Sequence, residues 1–156
     1  GSNFSYAIGK LVLWSAQPGY VDDQGAVLAS GKFAHLAIAN PKVAPYGAAG
    51  LQVLKARGLA EAVTPKLVTA ESIAQAFQFV STGNAELGFV ALSQVAVPGK
   101  AVTGSYWLVP PGLHGEIRQD AVLLKAGEKN AAAVALLAYM KSAAARSVIQ
   151  SFGYGL

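Results

Sequence analysis

The chain has 156 residues, enough for one domain with a buried core or for one lobe of a larger protein. Apolar residues make up 53% of it and charged residues 13%, which excludes a disordered tail. Twelve Lys and Arg give a net charge of +4 but are scattered, so the sequence indicates no nucleic-acid-binding surface. The lack of cysteine excludes disulfides and thiol catalysis.

The first predicted strand is Lys10–Ser15, in which four apolar residues follow one another. A short helix is predicted at Ala26–Ser30, ending at Gly31, because glycine is the residue type that most often follows a helix. His35–Ala39 is predicted as the second strand. The dipeptide Asn40-Pro41 ends it, since the residue before a proline is typical of a turn or boundary.

The middle of the chain alternates helices with strands. Tyr46–Arg57 carries apolar residues at helical spacing and predicts a helix. Ser72–Val80 predicts another, which opens on a capping-box pattern because Ser72 is followed three residues later by a glutamine. Leu67–Val68 and Leu87–Ala91 are predicted strands. This alternation favours an α/β layered sheet.

The last part of the chain predicts two strands, Ser105–Val109 and Asp120–Lys125, followed by two helices, Ala131–Lys141 and Ala143–Ser151. The first of these helices contains the longest fully apolar run of the chain, ten residues ending at Met140. A single bilayer span needs about 18 or more such residues. We therefore predict that this run is not a membrane anchor.

Residues suited to catalysis are few and dispersed. His35 and His114 are far apart in sequence, and neither lies in a cluster with metal-ligand spacing. His35 falls within an apolar strand, where a core or edge histidine is commoner than a catalytic one. The eight carboxylates are spread along the chain, and no nucleophile stands beside a base. The sequence therefore predicts a protein that is not an enzyme.

The two turns from a strand into a helix are better candidates for a binding site. Pro45 suits the first turn of a helix because its missing N–H is not needed there, and Gly47 allows a ligand close to the backbone. The second turn runs through Ser72 into Ile73. Helix starts present unpaired N–H groups and a partial positive charge, so two starts facing one cleft would bind an oxyanion. Ordinary helix caps, present in every α/β protein, are the alternative reading.

Several long motifs resemble the molybdate-binding proteins of bacterial molybdate ABC transporters, almost from end to end. They are Tyr6–Ser15, Ala39–Gly47, Phe79–Gln94, Gly104–Pro110 and Ile117–Leu124. The resemblance implies a two-lobed α/β clamshell that closes on a tetrahedral oxyanion. It also implies that the backbone N–H groups of Tyr46 and Ile73 bind the anion. The supporting residues of these two helix starts are Pro45, Gly47 and Ser72.

Other implications of the resemblance concern ligands and departures from the family. Some members add a tyrosine hydroxyl after the fourth predicted strand, and Ala91 stands there, so this contact is expected to be absent. The ligand is expected to be molybdate or tungstate, without a cofactor or a resident metal ion. His114 departs from the family pattern, and we attach no function to it.

The fold class that follows is α/β, a type II periplasmic-binding-protein lobe with a mixed sheet and flanking helices. We interpret Gly1-Ser2 as the remnant of an expression tag and residues 1–9 as the crossover into the second lobe. Residues 10–119 are expected to form that oxyanion-binding lobe. Residues 120–156 are expected to return to the first lobe. The sequence is expected to lack the opening strands of lobe one, and hence to bind molybdate weakly and to self-associate.

The predicted function is capture of molybdate or tungstate in the periplasm for delivery to the membrane permease of an ABC transporter. Two alternatives remain open at this point. One is an oxyanion-sensing lobe of a regulatory protein with the same fold, which an adjoining DNA-binding helix-turn-helix would reveal. The other is an enzyme whose site is assembled only by folding, which a pocket lined with histidines or carboxylates would reveal.

Overall fold

The computed structural model describes residues 3–156; Gly1-Ser2, interpreted as a tag remnant, lies outside the described residues. Its strands are β1 (Phe4–Gly9), β2 (Leu11–Ser15), β3 (Leu36–Ala39), β4 (Leu67–Ala70), β5 (Leu87–Ala91), β6 (Ser105–Leu108) and β7 (Ile117–Ala121). Its α-helices are α1 (Val27–Ser30), α2 (Pro45–Ala56), α3 (Ala60–Val63), α4 (Ile73–Ser81), α5 (Leu92–Val95), α6 (Ala131–Met140) and α7 (Ala143–Ser151). Short 3-10 turns occupy Thr64–Lys66, Pro111–Leu113 and Lys125–Gly127.

The strands form a five-stranded mixed sheet and a separate two-stranded ribbon. In the sheet the order is β4-β3-β5-β2-β6. Strand β3 runs parallel to β4 and β5, and β2 runs antiparallel to β5 and β6. Strands β1 and β7 pair antiparallel in the ribbon. This mixed sheet with flanking helices confirms the predicted α/β class.

Alternate residues of the central strands fill two cores, one on each face of the sheet. The face against α2 is filled by Leu11, Leu13, Ile38, Val53, Leu54 and Phe89. The face against α4 is filled by Val12, Trp14, Ala37, Ala76, Val80 and Val90. Because successive side chains of a strand point to opposite faces, uninterrupted apolar runs such as β2 are required for a sheet covered on both sides.

The ribbon differs from the prediction in two ways, and helices α3 and α5 were not predicted either. The strand predicted at Asp120–Lys125 is wrong in position, because β7 covers Ile117–Ala121. It pairs with β1 from Gly9 opposite Ile117 to Phe4 opposite Ala121. After Ala121 the chain leaves the ribbon and forms the 3-10 turn at Lys125–Gly127. Strand β1 itself is an element that the sequence did not predict. Since β7 crosses the predicted boundary between 119 and 120, the division into 10–119 and 120–156 stays a prediction.

The C-terminal helices cover little of either core. In the described part of the chain every residue of α6 keeps some exposure to solvent, although its sequence is apolar on all sides. Among the described residues, no single helix has the length and composition to cross a bilayer. Helices α6 and α7 have the required length and composition only when they are taken together, and this pair is bent by 66° at the break between the two helices.

We expect this exposed apolar surface to drive self-association, because a helix that is apolar all round is normally buried. Light scattering should give a mass above the 16.0 kDa of one chain. Leu136→Glu, which places a charge at an exposed position of α6, should restore the monomer. The matched control is Gln150→Glu on the exposed surface of α7, which should leave the mass unchanged. A monomeric wild-type chain at high concentration would contradict this expectation.

Candidate oxyanion-binding site

Two neighbouring parallel strands deliver the two predicted helix starts to the same edge of the sheet. Strands β3 and β4 run in register from Leu36 opposite Leu67 to Ala39 opposite Ala70. Helix α2 follows β3, and α4 follows β4. A hydrogen bond of 2.7 Å from the Asn40 N–H to the Ala70 carbonyl oxygen continues the pairing beyond the strand ends. Both helix starts therefore lie at the carboxyl edge of the parallel strands.

The start of α2 presents unpaired backbone donors. The loop before it satisfies its own N–H groups, since the Asn40 carbonyl oxygen accepts from Val43 and Ala44. Pro45 occupies the first helical position, as predicted, and has no N–H. The next two N–H groups, those of Tyr46 and Gly47, have no acceptor within residues 3–156. The first turn also contains no acidic residue, so no carboxylate of this turn competes for these donors.

Gly47 is required because the helix start lies very close to strand β3. A Cβ atom at this position would overlap the carbonyl oxygen of Ala39, which belongs to a fully buried strand. The predicted reason for this glycine was approach of a ligand to the backbone. The structure adds a second reason, which is approach of the helix to the strand before it.

The start of α4 also presents unpaired donors. Ser72 is the N-cap, and its hydroxyl accepts from the Gln75 N–H at 3.2 Å. The Gln75 side chain accepts from the Glu71 N–H at 2.7 Å, so the predicted capping pattern is present with its second contact one residue earlier. The N–H groups of Ile73 and Ala74 find no acceptor in the portion of the chain that the structure covers.

We expect Ser72→Ala to destabilise the protein by about 1 kcal/mol, because the Gln75 N–H would lose its capping oxygen. Urea unfolding followed by circular dichroism measures this change. Ser81→Ala at the other end of α4 is the control, because that hydroxyl donates only to a carbonyl of its own helix. It should change the free energy of unfolding by less than about 0.5 kcal/mol. Equal effects of the two substitutions would rule out the capping role.

A glutamine that the sequence analysis did not single out fixes the second helix start. The Gln94 side chain donates to the Ile73 carbonyl oxygen at 3.1 Å and accepts from the Ala91 N–H at 3.0 Å. It therefore links the end of β5 to the first residue of α4. Ala91 is buried, and the absence of a tyrosine contact at that position stays a prediction.

The two helices approach this edge from opposite faces of the sheet. Residues of α2 belong to one core and residues of α4 to the other, while Ile73 packs against both. The connection from β3 to β4 and the connection from β4 to β5 run in opposite directions along the strand order. In open α/β sheets such a reversal creates a crevice at the carboxyl edge of the strands. That Tyr46 and Ile73 face one concave surface stays a prediction.

The family of the chain follows from comparison with known proteins. A model of the bacterial extracellular solute-binding protein family matches residues 1–155. The chain belongs to this family. It is 64% identical, over its whole length, to the molybdate-binding protein ModA of Azotobacter vinelandii, and 54% identical over 154 residues to that of Rhodobacter capsulatus. It spans 62% and 60% of the lengths of these two relatives.

A solved structure shares the architecture closely. The periplasmic molybdate-binding protein of Azotobacter vinelandii matches with a TM-score of 0.96 at 46% identity. The match covers 100% of this chain and 68% of that one. Because the identity is well above the level at which only the fold is shared, the match confirms the predicted periplasmic-binding-protein fold.

The two histidines of this solute-binding protein have different surroundings, and the loop after His114 contacts α2, because the Gly115 N–H donates to the Gln52 side chain at 2.7 Å. His35 is exposed before β3, and its Nδ1 atom is 4.0 Å from the Glu86 carboxylate, beyond hydrogen-bond distance. Partial burial alone would raise the pKa of Glu86, but hydrogen bonds from the His35 and Ala34 N–H groups lower it below its ordinary value. His114 contacts the carbonyl oxygen of its neighbour Gly115. No group of three His, Asp or Glu suited to a metal ion occurs among residues 3–156.

Proposed function

We propose that this chain belongs to an extracytoplasmic solute-binding protein that captures molybdate or tungstate for an ABC transporter. The observation that carries the proposal is 64% identity, over the whole chain, to a molybdate-binding protein. The unpaired N–H groups at two helix starts supply a physical basis for it. Residues 10–119 would form the oxyanion-binding lobe, and residues 120–156 would return towards the other lobe.

The proposed ligand contacts are the backbone N–H groups of Tyr46 and Ile73, with those of Gly47 and Ala74 beside them. Burying a dianion is unfavourable unless its oxygens accept hydrogen bonds. Helix-start N–H groups provide such bonds at fixed geometry and add the positive end of the helix dipole. No cationic side chain and no cofactor are required for this mode of binding. Selection against smaller oxyanions then follows from the size of the cavity.

The proposed partners follow from the same relatives. A binding protein of this family delivers its ligand outside the cytoplasmic membrane, so we infer a periplasmic location and a membrane permease as partner. The relatives are named as binding proteins, which favours this function over the regulatory lobe and over an enzyme. We infer no catalytic role.

Nitrogen-15 NMR titration of the chain with sodium molybdate tests this function, because it detects weak binding and identifies the amides involved. The amide signals of Tyr46, Gly47, Ile73 and Ala74 should shift most. Tungstate should give the same pattern, and sulfate should require at least about tenfold more anion for the same shift, a difference of about 1.4 kcal/mol. Shifts confined to other residues would end the site assignment. No response to molybdate or tungstate would end the proposed function.

A further inference from the structure

The side chain of Tyr46 contains a buried hydroxyl without a partner. The residue is only 7% exposed, and its hydroxyl oxygen has no hydrogen-bond partner among the residues that the structure describes. Burial, with a smaller contribution from the nearby phenols of Tyr154 and Tyr6, raises the pKa of this hydroxyl above its ordinary value. The group therefore keeps its proton and remains a donor. Buried donors are nearly always paired, so this one calls for an explanation.

The hydroxyl lies at the junction between the ribbon and the sheet. Gly9 is the last residue of β1 and pairs with Ile117, the first residue of β7, so both connections between ribbon and sheet pass this point. A Cβ atom on Gly9 would overlap the Tyr46 hydroxyl and would also lie 3.1 Å from the Ile117 side chain. Glycine at this position thus makes room for the phenol. Tyr46 therefore has two contacts of interest: its N–H lies in the first turn of α2, and its side chain lies at the junction.

A third connection crosses the same junction without being part of either strand. The C-terminal strap, residues 153–156, pairs with β1 through two hydrogen bonds between Gly155 and Ile8, of 2.8 and 2.9 Å. On the sheet side, the hydroxyls of Tyr154 and Ser93 lie 3.0 Å apart. The strap therefore holds the ribbon and helix α5 together. A phenol oxygen with one hydrogen bond has capacity for another, so Tyr154 is a suitable acceptor for Tyr46.

We propose that Tyr46 is a positioning residue for oxyanion capture: its N–H binds the anion, and its hydroxyl pairs with Tyr154 of the C-terminal strap in the bound state. The inference rests on the proposed function. Ring and N–H belong to one residue at a helix start, so a shift of that start towards an anion also moves the hydroxyl at the junction. Pairing of the hydroxyl only in the bound state would add to affinity without adding to the stability of the free protein.

Tyr46→Phe tests this assignment because it keeps the N–H and the ring and removes only the hydroxyl. We expect its dissociation constant for molybdate, measured by NMR titration, to rise about three- to tenfold, the usual effect of one hydrogen bond. Tyr154→Phe should show a similar rise, and the double variant should bind no worse than either single variant. The control is Tyr106→Phe on edge strand β6; this residue is 39% exposed, and the variant should bind like the wild type.

Thermal unfolding without molybdate separates positioning from plain structural support. Tyr46→Phe should unfold at or above the wild-type temperature, because the hydroxyl that it removes has no partner among residues 3–156 in the absence of ligand. Unchanged molybdate affinity, additive losses in the double variant, or a lowered unfolding temperature of Tyr46→Phe would each overturn the inference. If the wild type binds neither molybdate nor tungstate, the proposed function fails and this inference fails with it.

Discussion

Replacing Ile73 with proline should weaken molybdate binding about 10- to 150-fold, the loss expected for one hydrogen bond to a charged group. The substitution removes one N–H at the first position of α4, where proline is well tolerated. Ser72 already has the extended conformation (φ −147°, ψ 165°) that a following proline requires. The helix should therefore form normally and lack a single donor. Titration of the variant with sodium molybdate measures the change.

Ile73→Ala is the matched control, because it shortens the side chain and keeps the N–H. Ile73 packs against both cores but is only half-buried, so this variant should lose about 2 kcal/mol of stability, the low end for such a truncation, while its affinity changes less than about threefold. If Ile73→Ala weakened binding as much as Ile73→Pro, the side chain and not the backbone would hold the anion.

Gly47→Ala should destabilise the protein by about 3 kcal/mol and weaken molybdate binding, because the added methyl group would overlap the Ala39 carbonyl oxygen. That oxygen belongs to the buried strand β3 and has little room to move. The start of α2 must shift instead, which displaces the N–H of Tyr46. Urea unfolding gives the stability change, and titration with molybdate gives the affinity.

Gly112→Ala is the control for this substitution. A Cβ atom at Gly112 would meet open space, and its backbone is not left-handed, so its effect should stay within about 0.5 kcal/mol. A Gly47→Ala variant that unfolds at the wild-type urea concentration would show that α2 is free to move away from β3. The close approach would then have no role in holding the site.

The elements around the site were predictable because their signals are local. Strand β2 is a continuous apolar run, which is required for a strand covered on both faces. The start of α4 follows from a serine that caps its own helix, and the start of α2 follows from a proline at its first position. Each of these features depends on residues within about one helical turn, so one stretch of sequence carries the whole signal.

The ribbon and the tyrosine junction were not predictable for the opposite reason. Phe4 and Ala121 pair across more than a hundred residues, so the register of β7 depends on a partner that no local pattern indicates. The same holds for Gln94, whose side chain joins the start of α4 to the end of β5. The position of the Tyr46 hydroxyl depends on the absence of a side chain at the distant Gly9. Such contacts depend on how distant parts of the chain are brought together. A local stretch of sequence does not indicate this.

The central place of β2 in the sheet has a consequence for the order of folding. This strand precedes every other strand of the sheet in sequence, yet its two neighbours are β5 and β6, which end at Ala91 and Leu108. Its five residues are all buried in the finished sheet, but they have no strand partner until β5 is available, about 75 residues further along the chain. The unit from β3 to β5 needs no such wait, so we expect it to become protected first, then to receive β2, and β6 to join last because β2 is its neighbour in the sheet.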